Sequence, residues 1–214
     1  MDVSEMISAL GDHGFADTLS STKVRELQNA IWQIEATEQW PFLETTLDLD
    51  FDGTSPVATN MPSGGWHASM RVKDLVAQRR IPFSRLDDFE DMVGTNYDEV
   101  GDPQLYYFEG GQLKFWPIPP ASTDRVKWRY IKVSAEITDS TVESAIPLPK
   151  HHHELIVVKA LAKLYRMEDD LELASYFEGA SGELMQRMKD NLFRQQIDQP
   201  DYVRVLDWDD YDYF

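Results

Sequence analysis

The sequence predicts an α+β protein: an antiparallel helical bundle with an inserted small antiparallel β domain and an extended C-terminal tail. Three observations carry that expectation. Apolar residues recur at helical spacing near both ends of the chain, they alternate at strand spacing in the middle, and the last 17 residues follow neither rule.

The first helical signal is short and spans residues 2–10, closed by Gly11 and Gly14. A longer helix is expected over 23–38, with Thr22 as N-cap. Val24, Leu27, Ile31 and Ile34 stand at i, i+3, i+7 and i+10, one face of a 3.6-residue period. Trp40-Pro41-Phe42 should end it, because a residue preceding proline is pushed out of the α region.

From Thr45 to Phe51 the pattern changes to alternation, with Leu47, Leu49 and Phe51 on one side. A Pro/Ser/Gly/Asn-rich loop follows over 53–65, then one or two strands within 66–81. Ser84 is a candidate cap for a short helix over 85–93, stopped by Gly94. Gln104–Glu109 and Gln112–Trp116 flank Gly110-Gly111, the positive-φ pair of a tight hairpin. Arg125–Val133 supplies a further strand, with Val126, Trp128 and Tyr130 on one face.

Helix returns after Pro147-Leu148-Pro149. Residues 150–167 place Leu155, Val158, Leu161, Ala162 and Tyr165 on one broad face. Residues 170–194 place Leu173, Phe177, Ala180, Leu184, Met188 and Leu192 on another. Gly179 and Gly182 each cost that last helix about 1 kcal/mol against alanine, which points to close helix–helix approach or a local bend. The expected organisation is 1–44 and 145–197 as the two parts of the bundle, 45–144 as the β-rich insertion, and 198–214 as a docking tail.

Composition narrows the function. Hydrophobic residues make up 42% of the 214 positions, enough for a packed core. The absence of cysteine excludes disulfides, thiolate metal sites and cysteine nucleophiles. A net charge of −18 argues against wrapping nucleic acid, whose phosphates are bound by Lys and Arg. No signal peptide is expected from Met1-Asp2-Val3-Ser4-Glu5, and the longest apolar run, near residues 155–164, is too short for a bilayer.

Catalytic patterns are scarce. His151-His152-His153-Glu154 lacks the HExxH spacing, and adjacent histidines on a helix point about 100° apart. A solvated first helical turn is the plain reading; a pH-sensitive contact or an intersubunit metal is the sharper one. Phosphate loops and GxSxG elbows are absent, and no cofactor is expected. A glycoside hydrolase using carboxylates such as Glu90 and Asp102 is the alternative from the enzyme class.

Two surface features suggest partners. Lys114, Arg125, Lys127 and Arg129, with Lys132, form a basic cluster in the β segment: an ordinary solvated face, an acceptor for acidic segments of a neighbouring copy or a partner, or, third because of the net charge, a DNA contact. The tail holds six aspartates against one arginine, interleaved with Tyr202, Trp208, Tyr211, Tyr213 and Phe214. Each buried aromatic removes roughly 150–250 Å² from water, while an exposed ion pair contributes about 1 kcal/mol or less. The aromatics are therefore the expected anchors, on a partner or on the tail's own domain.

Two stretches carry a likeness to a known family. One is Leu113-Lys114-Phe115-Trp116-Pro117-Ile118-Pro119-Pro120-Ala121 with the strand ending in Tyr130; the other is Ile146-Pro147-Leu148-Pro149, Glu154–Ala162, then Asp169/Asp170, Ala174 and Phe177. With Ala30-Ile31-Trp32 and Trp40-Pro41-Phe42, the pattern resembles the head-to-tail connector adaptor proteins of tailed bacteriophages. The resemblance implies a non-enzymatic virion protein of the neck, made in the host cytoplasm. It implies a homo-oligomeric ring, usually of twelve copies, between the portal protein and a stopper or tail-terminator protein. DNA would pass through its lumen during packaging and ejection without sequence-specific binding, and no membrane is involved. Another tail-completion protein is the neighbouring alternative.

Overall fold

The computed structural model describes residues 1–62, 65–94 and 96–197. The tail, 198–214, with Tyr202, Trp208, Tyr211, Tyr213 and Phe214, lies outside them. Among the described residues helices and antiparallel sheets coexist, so the α+β class holds. The described residues divide into two compact units, one made of Met1–Leu43 and residues 134–197, the other of Glu44–Val133.

In the first unit, helix α1 (Val3–Leu10) begins with a reciprocal cap. Asp2 Oδ1 accepts from the Glu5 N–H at 2.8 Å, and Glu5 Oε2 accepts from the Asp2 N–H at 2.9 Å. Val3, Met6 and Leu10 are its buried stripe. Gly11 remains right-handed; the break comes at Gly14, whose φ of 100° suits glycine.

Helix α2 (Ser20–Glu35) starts three residues before the expected point. The Leu19 carbonyl accepts from the N–H groups of Thr22 and Lys23, so Thr22 sits inside the first turn and caps nothing. Leu27, Ile31 and Ile34 are fully buried, whereas Val24 is half-buried. The helix stops well before Pro41, because its end is sealed otherwise. The Ile34 carbonyl accepts from Thr37 Oγ1 and from the indole N–H of fully buried Trp40, each at 2.7 Å.

Helix α4 (His153–Met167) is apolar nearly all round, as a helix with neighbours on several sides must be. It packs against α1, α2 and helix α5 (Leu171–Ile197). Asp170 caps α5 by accepting from the Leu173 N–H at 3.0 Å. The face that α5 buries is shifted from expectation: Ala174, Phe177, Ser181 and Met188 are buried, while Leu173 is exposed. Nor do Gly179 and Gly182 mark a close approach. A Cβ added at either would meet nothing within 4 Å.

The second unit is built on a four-stranded antiparallel sheet. Its strands are β1 (Glu44–Phe51), β2 (Trp66–Asp74), β3 (Arg79–Arg80) and β6 (Ser122–Lys132), in the order β1-β6-β2-β3. The last strand in sequence is thus interior to the sheet, paired Leu47↔Trp128 on one side and Val72↔Trp128 on the other. One face packs Leu49, Phe51, Val72, Val126 and Trp128 against Leu113 and Phe115 of a hairpin. That hairpin, β4 (Leu105–Glu109) and β5 (Gln112–Trp116), turns at Gly110-Gly111 with φ of 59° and 77°. Helix α3 (Leu86–Val93) stacks Phe89 on Tyr107 at 4.1 Å. Its cap is Arg85, because the Ser84 hydroxyl donates to the Arg85 carbonyl instead of capping the helix.

Candidate interaction surfaces

Four of the five basic residues singled out in the sequence separate into three environments. Lys114 lies on β5 and donates to Glu109 at 3.0 Å. Arg125 is buried. It is held by the fully buried Asp74 at 3.4 Å and by the more exposed Asp102. Asp74 itself is fixed by the Val76 and Ala77 N–H groups at 2.8 and 3.0 Å. Arg125 is therefore a structural group, removed from the surface by two carboxylates. Asp102, one of the two carboxylates considered for glycoside hydrolysis, is committed to the same pair.

Lys127 and Arg129 do share an open face, paired with Asp48 (3.5 Å) and Glu44 of β1. The strand register adds residues that sequence reading missed. Lys73 lies opposite Lys127, Arg71 opposite Arg129, and Arg80 opposite Lys73. Alternation along a strand gives parity but not which strands pair, so nothing local could have joined residues 71–80 to residues 127–129.

The histidine run is not a solvated turn. His151 is exposed, but His152 and His153 are buried, in and just after a 3₁₀ turn over Lys150–His152. His153 places Nδ1 2.9 Å from the Met1 carbonyl and Nε2 2.9 Å from the Leu148 carbonyl, tying the chain start to α4. Burial, followed by the neighbouring His151 and His153, pushes the His152 imidazole below the usual histidine range. Among the described residues no group of three or more ligands could hold a metal ion.

Two grooves in the first unit could take side chains of a partner. One, of about 500 Å³, runs along α2 and is lined by Val24, Gln28, Trp32 and Ile137. Gln28 Oε1 accepts from the Ile137 N–H at 2.7 Å, and its buried Nε2 has no hydrogen-bond partner among the described residues. The other, of about 450 Å³, lies among α1, α4 and α5, with Tyr176 and Phe177 in its wall. Trp32 and Tyr176 are exposed aromatics at these places, and Leu171 adds an exposed apolar residue at the start of α5.

The sequence model of the family described as SU10 adaptor protein matches residues 1–205. The chain belongs to that family. It is a family of phage head–tail adaptors, which supports a structural role for this chain in the virion neck. No curated protein matches the chain at a significant level. Among the described residues of this adaptor no helix is long and apolar enough to cross a membrane.

Proposed function

We propose that the protein is the neck adaptor that docks on the portal and joins it to a stopper or tail-terminator protein. It assembles as a homo-oligomeric ring, of twelve copies by the resemblance, and carries no catalytic activity. The observation that supports this reading is the family match over nearly the whole chain. The anionic character fits it, since a like-charged lumen does not grip a passing duplex.

In this reading Tyr202, Trp208, Tyr211, Tyr213 and Phe214 anchor the protein on the portal or a sister subunit, and the aspartates between them supply solubility and register. A ring multiplies modest contacts, because each later tail binds at high effective concentration once the first is seated. The test is to image the protein mixed with portal rings, as the full chain and with residues 200–214 deleted. A ring on the portal with the full chain, lost on deletion while far-UV helicity is retained, supports the reading. Equal docking by both proteins removes the role of the tail, and no docking by either removes the adaptor assignment to the portal.

A further inference from the structure

The face of the four-stranded sheet that turns away from its core concentrates positive charge. Lys73 stands opposite Lys127, Arg71 opposite Arg129, and Lys73 again opposite Arg80. Directly opposed residues on one face have Cβ atoms about 4.5–5.5 Å apart, where like charges destabilise the pairing. Three like-charged pairs therefore lie side by side across β3, β2 and β6. Strand β1 supplies Asp48 to Lys127 and Glu44 to Arg129. Lys73 and Arg80 have no ion pair among the described residues, and Arg80 is exposed. With 38 acidic residues against 20 basic ones, carboxylates to intersperse were abundant. Concentrating cations here instead calls for an anionic occupant.

We infer that this cationic lane receives the acidic, aromatic segment 198–214 of a second copy of the chain, an inference that rests on the ring reading above. The segment is the complement in charge, with six aspartates against one arginine. It is also long enough: 17 extended residues reach roughly 55 Å, whereas three strands span only about 10 Å between the outer two. The excess length lets aspartates lie along the lane while aromatic rings settle beside it. Exposed Val76, in the turn joining β2 to β3, offers an apolar contact next to it. DNA is the other polyanion at hand, but a chain of net charge −18 repels it while a short peptide strand can enter. A lane on each copy filled by the tail of the next makes a heterologous contact, the kind that closes a ring.

The test uses the full chain with Trp208→benzoylphenylalanine, prepared unlabelled and ¹⁵N-labelled, mixed in equal amounts and irradiated. The expected products join a tail to peptides containing residues 71–80 or 125–132, with mixed-isotope pairs as frequent as same-isotope ones. Lys73→Glu with Arg80→Glu should lower their yield about tenfold, as reversing charges at a complementary contact does. Same-isotope products alone would show a tail folded on its own copy and overturn the inference. So would cross-links only elsewhere, none at all, or a yield indifferent to charge reversal. A DNA duplex that binds the wild-type chain but not the reversed one would make the lane a nucleic-acid site, also overturning it. Trans cross-links without any docking on portal would sink the portal reading alone, and portal docking with cross-links confined to one copy would sink this one alone.

Discussion

Two buried polar groups carry more of the stability than their number suggests. Asp74 and Arg125 are both out of water and pair at 3.4 Å inside the β unit, with Asp102 as the guanidinium's second partner. A buried pair adds little over an apolar substitute, but removing one member strands the other. Asp74→Ala should therefore cost about 3–5 kcal/mol, read by chemical denaturation with tryptophan fluorescence. A loss below about 1 kcal/mol, the range of exposed pairs, would mean that exposed Asp102 alone can hold the guanidinium. His152 gives the second residue-scale expectation. Its folded-state pKa lies below the ordinary value near 6.5, so the unfolded chain binds the proton more readily and stability rises with pH. Acidifying from pH 7.5 to 5.5, a window bracketing that value, should then lower the melting temperature of the wild type more than that of His152→Leu. Equal slopes would show that His152 is not the group responsible.

At the scale of elements, what the sequence revealed depended on the range of the interaction. Helix α2, helix α4 and the Gly110-Gly111 hairpin were legible because their signals are local: spacing, a positive-φ pair, a proline boundary. The start of α2 was misplaced because Leu19, with no capping side chain, opens it through its carbonyl. Strand order and register were not legible, and with them went the neighbours of Lys127 and Arg129 and the burial of Arg125. The tail remains a matter of composition alone. Helix α5 shows a different limit, since its glycines looked like packing residues and are surrounded by open space. Gly179→Ala and Gly182→Ala should each stabilise the free protein by about 0.4–1 kcal/mol. For a chain of this size that is a rise of roughly 1–4 °C in melting temperature. A fall would mean that the backbone there needs a freedom only glycine provides.

For the molecule as a whole, two charge scales act at once. The net charge of −18 sets the far field, and a phosphate polyanion approaching from any side meets repulsion that decays over about 8 Å at physiological salt. The cationic lane acts only at contact, on the few residues that reach it. Tight binding of duplex DNA needs many simultaneous phosphate contacts, each releasing a counterion, and an affinity that falls steeply with salt. A lane whose edge cations are already shared with Asp48 and Glu44 offers few such contacts. The free chain should therefore leave the mobility of a DNA duplex unchanged in a gel-shift titration at about 0.15 M salt, the physiological level. Lowering the salt should produce at most a weak shift, because screening that weakens the lane's attraction also weakens the far-field repulsion. Saturable binding at physiological salt would contradict the proposed conduit role, and would require the lane to dominate the far field.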